Sequence, residues 1–217
     1  IYHYAGVDVD NGDALYYMFE DTDDGGRTAV LNADGTQATT NDYQEAGEAF
    51  TDSSSIPDLI GSVSNSFRYK QFSLDFLFTF GIGGEILDSG YSSLMHAGTF
   101  GRSLHVDAEN AWRAPGDITD VPRLENGDPN QTVAGSTRFL TDASYLSLKN
   151  VNFGYNFDKN VSEKLGLSNL RVSLSAENVF ISTKRKGLNP QYSLSGTQTA
   201  SDYSPSRTVT LGLNLSF

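Results

Sequence analysis

The sequence predicts an all-β chain: a transmembrane antiparallel β-barrel, present here as the C-terminal strands of a larger barrel with long extracellular loops. Three observations carry this expectation. Apolar residues recur with a period of two rather than 3.6. The alternating runs are roughly 10 to 14 residues long, against a usual mode of about 5 to 6 in soluble sheets. The connections between them are alternately short and long, as turns and loops are on the two sides of an outer-membrane barrel.

Composition narrows the alternatives. The 217 residues are 38% apolar and 12% aromatic, with 21 Gly, 13 Phe, 11 Tyr and no Cys. That excludes a disulfide-stapled module, a Cys-ligated zinc site and thiol chemistry. No apolar run approaches the length of a membrane helix, and aromatics are too plentiful for a disordered chain. Ile1 is not an initiator Met and no leader pattern follows it, so either a leader has been removed or the sequence is the tail of a longer polypeptide, and the strand count below favours the second.

Residues 1–59 are expected to be an acidic extracellular loop with a hairpin through residues 2–9 and 14–19. Residues 1–60 hold 13 Asp and Glu against the single cation Arg27, whereas residues 61–217 hold 14 of each sign. The acidic excess excludes nucleic acid as a partner, because phosphates are repelled. Asp21 and Asp23 stand at alternating positions, as ligands do in calcium loops, which makes them calcium candidates. The Glu required at the twelfth position is absent, since Asn32 stands there.

The strands follow in order. At 60–70, Val63, Phe67 and Tyr69 alternate with serines and Arg68. At 71–80, Phe72, Leu74, Phe76, Phe78 and Phe80 alternate with Gln71, Ser73, Asp75 and Thr79, so one face is wholly apolar. A long loop at 81–143 carries turn signals at Gly83-Gly84, Pro115-Gly116, Pro122, Gly127 and Pro129. Within 144–157 the apolar parity switches near Asn150, which predicts a bulge. A short link holds one helical turn at 162–165, ended by Gly166. Leu170, Val172, Leu174 and Ala176 mark the strand at 169–180. After a loop at 181–205, Val209, Leu211, Leu213, Leu215 and Phe217 mark the last strand at 206–217.

A soluble β-sandwich shows the same alternation, with its apolar faces paired across a core. Strand length, and aromatic residues at strand ends (Tyr69, Phe72, Tyr155, Phe157, Phe180 and Phe217), favour the membrane reading. Five strands do not close a barrel, and open edges are not tolerated in lipid. The rest of the barrel is therefore expected in a preceding segment.

These segments, taken together, resemble the SusC/RagA class of TonB-linked outer-membrane transporters of the Bacteroidetes. The resemblance rests on Tyr4-Ala-Gly-Val-Asp8, Gly12-Asp13 and Asp34-Gly-Thr36, and on the run from Pro57 to Lys70. It continues through Trp112, Val121-Pro-Arg-Leu124, Ser144–Asn150, Leu170–Phe180 and Pro205–Phe217. It implies a barrel of about 22 strands with an N-terminal plug, energised by TonB through a segment outside this chain. It also implies a SusD-like surface lipoprotein as a lid, with oligosaccharide or peptide as cargo. The apolar C-terminal strand, Leu211, Leu213, Leu215 and Phe217, looks like the signal read by the barrel-assembly machinery. The C-terminus is then periplasmic and the long loops extracellular.

No catalytic constellation is present, and no enzyme is expected. His3, His96 and His105 lack metal-ligand spacing, and Gly81-Ile-Gly-Gly84 is not followed by a helical pattern. Trp112, Arg113 and Arg123 are candidate contacts to cargo or lid, because exposed aromatics and Arg dominate interfaces; packing of the loop onto the barrel rim is the alternative. Asp75, Arg171 and Glu177 face the lumen side. The rival functions are a soluble extracellular glycan-binding sandwich and a passive porin-type barrel.

Overall fold

The alternating runs form the strands of a computed structural model that describes residues 1–128, 130–192, 195–199 and 201–217. The turn signal at Pro129 lies outside the described residues. In chain order the strands are β1 (Tyr4–Val7), β2 (Ala14–Tyr17), β3 (Phe19–Asp21), β4 (Arg27–Ala29), β5 (Thr39–Thr40), β6 (Leu59–Tyr69), β7 (Phe72–Ile82), β8 (Glu85–Asp88), β9 (Leu140–Asp142), β10 (Tyr145–Asn156), β11 (Asn169–Thr183), β12 (Thr197–Gln198) and β13 (Thr208–Ser216). Among the described residues three short α-helices accompany them, α1 (Tyr43–Ala46), α2 (Ser89–Leu94) and α3 (Lys159–Lys164), with 3-10 turns at Val106–Asn110, Thr137–Phe139 and Pro190–Tyr192. No helix among the described residues is long and apolar enough to cross a membrane. The chain divides into two units, one of Ile1–Ser53, Ile86–Thr141 and Gly196–Asp202, the other of Ser54–Glu85, Asp142–Ser195 and Tyr203–Phe217.

The second unit is an antiparallel five-stranded sheet in the order β13-β11-β10-β7-β6. Its register sorts the side chains into two opposite faces. One cross-strand row runs Phe67, Leu74, Phe153, Leu174, Leu211, and the next runs Tyr69, Phe72, Tyr155, Val172, Leu213. Residues one position along turn the other way, giving the row Ser66, Asp75, Asn152, Ser175, Thr210. The apolar face is uncovered: Phe67 is 53% exposed and Leu211 75%. A sandwich buries such a face against a second sheet, and among the described residues none lies on it. An 11-residue strand reaches about 36 Å, or about 25 Å when tilted near 45°, the height of the apolar band in barrels of the outer membrane. The sheet is open, with β6 and β13 at its edges.

Local sequence explains the details. The pairing of β10 slips between Leu148 and Asn150 on both of its neighbours, where the parity of its apolar residues switches. In β11 the compensating residue is Asn178, at φ 50°, and its amide donates to the Ser206 carbonyl at 3.2 Å. Between β10 and β11 the helix is α3, starting one turn earlier than the expected 162–165. Gly166, at φ +74°, ends it, with Leu167 N–H returning to the Ser162 carbonyl at 3.0 Å.

The first unit contains the hairpin expected through residues 2–9 and 14–19, as β1 and β2. It pairs with β5 in a three-stranded sheet separate from the five-stranded one. The reason is aromatic burial. Tyr16 is 0% exposed and, with Ala14 and Ala46, forms a core packed by Tyr2, Tyr4 and Tyr43. Residues 1–59 are therefore not simply a solvated loop. The 81–143 loop is likewise folded over much of its length: Met95, Ala111, Val121 and Phe139 form a second core, with Leu87 and Tyr91 against it.

Burial also gives this unit an alkaline limit. It pushes the Tyr4 phenol up to about 12, and raises Tyr16 and Tyr91 as well. A phenol whose folded pKa lies above its unfolded value of 10.0 stabilises the fold fully below about pH 10. That contribution is lost as pH rises through about 12. The unit is expected to open between these values, seen as a cooperative rise of tyrosinate absorbance. A gradual rise centred at pH 10 would show freely titrating phenols.

Candidate functional site

The polar face of the five-stranded sheet is a hydrogen-bonded network. Arg68 Nη1 pairs with Asp75 Oδ1 at 2.9 Å, and Ser66 donates to the same carboxylate. Arg171 Nη2 reaches Ser73 Oγ at 3.3 Å, passing over Gly154, where a Cβ would stand 2.6 Å from that nitrogen. Neighbouring charges are thus partnered across strands, as in a face turned from lipid toward a polar interior.

In the first unit, Trp112 and Arg123 are fixed to the β1–β2 turn. Trp112 Nε1 donates to the Val9 carbonyl at 3.2 Å. Arg123 Nη2 bridges Asp13 Oδ1 at 3.1 Å and Glu125 Oε2 at 2.6 Å, and Nη1 donates to the Asn11 carbonyl at 3.3 Å. Asp13 is buried, and its other oxygen accepts from Asn41 Nδ2 at 2.8 Å. Gly12 sits at φ +79°, and a Cβ there would lie 2.4 Å from Trp112 Cε3. Gly12→Ala is accordingly expected to destabilise this unit by roughly 1–3 kcal/mol, read from its hydrogen-exchange protection. Unchanged protection would mean that the turn and indole relax freely.

Trp112, Arg113 and Arg123 also line one cavity of about 680 Å³ with Leu104, Val106 and Leu124. Its lining also includes His105 and Glu109, so the apolar side chains stand beside two guanidinium groups, one carboxylate and one imidazole. Arg113 is exposed; its Nη2 donates to the Glu109 carbonyl at 2.8 Å. The three residues singled out from sequence therefore meet; Leu124 closes the Val121-Pro-Arg-Leu124 stretch of the resemblance, whereas Leu104 and Val106 carried no sequence signal, being scattered apolar residues of a loop.

The other sequence candidates are placed as follows. Asp21 lies in β3 and pairs with Arg27 Nε at 2.6 Å; Asp23 is exposed in the following turn. Among the described residues no group of three His, Asp or Glu is arranged to hold a metal ion. His96 is buried: its Nδ1 accepts from Gly98 and Thr99 N–H at 3.1 and 3.0 Å, and Nε2 faces the Ser103 carbonyl at 3.2 Å. His3 packs on Phe19, and His105 lies against Asp107. Leu211, Leu213 and Leu215 point outward from β13, and Phe217 is 93% exposed.

No protein-family model matches the chain. TonB-dependent receptor P3 of Formosa agariphila is 32% identical over 225 aligned residues, covering 99% of this chain and 21% of that receptor. TonB-dependent receptor P39 of the same organism is 30% identical over 174 residues, covering 75% of this chain and 16% of that receptor. The structure of the RagAB peptide importer in its closed-closed state covers 100% of this chain and 22% of its own, with a TM-score of 0.78 and 27% identity. In the open-open state the TM-score is 0.65 and the identity 25%. The chain spans about a fifth of the length of the relatives it matches.

Long strands carry one bare apolar face and one polar, cross-bonded face. Along nearly its whole length the chain is similar to TonB-dependent receptors, and in fold to the RagAB transporter. Its relatives are receptors and transporters rather than enzymes, and their Formosa source is consistent with the Bacteroidetes.

Proposed function

We propose that this chain is the C-terminal portion of a TonB-dependent importer that carries oligosaccharides or peptides across the outer membrane with a SusD-like lipoprotein as its lid. The observation that carries the proposal is the uncovered apolar face of the five-stranded sheet, on strands long enough for the bilayer and matched along the whole chain by a peptide importer. The open edges of β6 and β13 pair, on this reading, with the remaining strands of a barrel of about 22, which also encloses a plug. TonB acts through that missing part. The long loops are, on this reading, extracellular and the C-terminus periplasmic. Leu211, Leu213, Leu215 and Phe217 serve the barrel-assembly machinery during insertion. The proposal needs no cofactor.

The test is uptake of labelled peptides and oligosaccharides by cells producing the intact receptor, with and without TonB and the lipoprotein. Uptake that is lost without TonB supports the importer. Uptake that persists would make the protein a passive porin, and recovery of the protein in the soluble fraction would restore the sandwich.

A further inference from the structure

The first unit holds 20 Asp and Glu against 5 Lys and Arg. In such surroundings a cation readily finds a carboxylate, and two of them do: Arg27 pairs with Asp21, and Arg123 with both Asp13 and Glu125. Arg138 lies over the rings of Tyr4 and Phe139. Arg113 differs. Asp117 stands four residues away, but its carboxylate accepts from the main-chain N–H groups of Arg113 and Ala114, at 2.9 and 3.1 Å. The guanidinium itself donates once, to the Glu109 carbonyl. Among the described residues no carboxylate forms an ion pair with it. Four of its five N–H donors therefore remain for a ligand.

The cavity beside it is about 680 Å³, within the range of small-ligand sites. Leu104, Val106 and Leu124 present exposed apolar surface there. The Trp112 N–H is already bonded to Val9, so the indole offers the cavity apolar ring surface. Arg123 is neutralised by its two carboxylates. Glu109 also lines the cavity, but Arg113 meets it through the main-chain carbonyl and forms no ion pair with its carboxylate. An apolar body carrying one planar acceptor therefore fits the cavity, and the guanidinium fork takes a carboxylate bidentately. The acidic excess of the unit disfavours a polyanion, so a single carboxylate matches best.

We propose that this cavity binds the C-terminal residue of a peptide, its apolar side chain against Leu104, Val106, Leu124 and Trp112 and its free carboxylate on Arg113. The inference rests on the importer reading and chooses peptide over neutral glycan as the cargo. A glycan has no anion for Arg113 and no need of three aliphatic walls.

Isothermal titration of the intact receptor in detergent tests it, with three probes: acetyl-Gly-Gly-Phe bearing a free carboxylate, the same peptide as its C-terminal amide, and acetyl-Gly-Gly-Gly with a free carboxylate. The free acid of the Phe peptide is expected to bind at least about tenfold tighter than either other probe, the loss of a charge-assisted bidentate pair being of that order. Arg113→Gln, at an exposed position, is expected to bring the acid-to-amide ratio close to one, and Arg113→Lys to retain part of it. Equal binding of acid and amide, a ratio unchanged by Arg113→Gln, or no binding of the Phe peptide at millimolar concentration would each overturn the proposal. Import and binding fail separately. TonB-independent uptake with the Arg113-dependent ratio intact removes the importer reading alone, and TonB-dependent uptake without that ratio removes this site alone.

Discussion

Leu174→Arg is expected to destabilise the membrane-inserted receptor by about 2–4 kcal/mol, the cost of an Arg on the lipid face near the bilayer midplane. Leu174 stands in the apolar row between Phe153 and Leu211. Its neighbour Ser175 stands in the polar row beside Asn152 and Thr210, where Arg171 already resides two rows away. Ser175→Arg should therefore cost no more than about 1 kcal/mol, since a charge on that face keeps polar partners. Urea titration of the receptor folded into lipid bilayers reads both variants. Equal costs would mean that the two faces of β11 meet the same environment, contrary to a barrel wall.

The second large effect is expected in the other unit. Tyr16→Ala should remove about 3–5 kcal/mol, as truncation of a fully buried aromatic does. Tyr16 is 0% exposed, edge-on to Tyr2 and Tyr4 at centroid distances of 6.4 and 5.8 Å, and its hydroxyl donates to the Gln131 carbonyl at 3.2 Å. Tyr16→Phe keeps the packing and should cost roughly 1 kcal/mol, the net worth of one hydrogen bond. Pulse proteolysis of the intact receptor reads the loss as cleavage within residues 1–53 and 86–141. Cleavage that also reached β7 or β10 at the same rate would show the two units opening together.

The five-stranded sheet was legible because a strand with one face in hydrocarbon must alternate. β7, β11 and β13 do so over most of their length, with Leu77 and the run Val179–Ile181 as exceptions. Even the bulge of β10 was written as a parity switch, since one extra residue turns every later side chain over. The first unit was less legible. Its strands are short, at two to four residues, and its two cores are built from residues distant in sequence, such as Met95 with Phe139. Neither has a period to read. Trp112, Arg113 and Arg123 stood out as exposed-interface residue types. That Asp13 and Glu125 would take Arg123, while Arg113 stays without a carboxylate, depends on backbone geometry around Gly12 and Asp117 that no spacing encodes.

The division of labour follows from these two kinds of construction. A lipid-facing sheet has to be apolar outside and hydrogen-bonded at every backbone group, which leaves its inner face free for polar residues. The other unit needs no such regularity, and its loops can carry the clefts and charges that the proposed peptide site uses.

The central claim is that the apolar face of the five-stranded sheet faces lipid. Spin labels placed one at a time at Val172, Ser173, Leu174, Ser175 and Ala176 of the receptor in its native outer membrane test it most directly. Labels at Val172, Leu174 and Ala176 should relax with molecular oxygen, which dissolves in hydrocarbon, and be shielded from a water-soluble nickel chelate. Those at Ser173 and Ser175 should show the lower oxygen effect, out of phase by one residue. Nickel access at Leu174 equal to that at Ser175 would place both faces of β11 away from lipid and contradict the account.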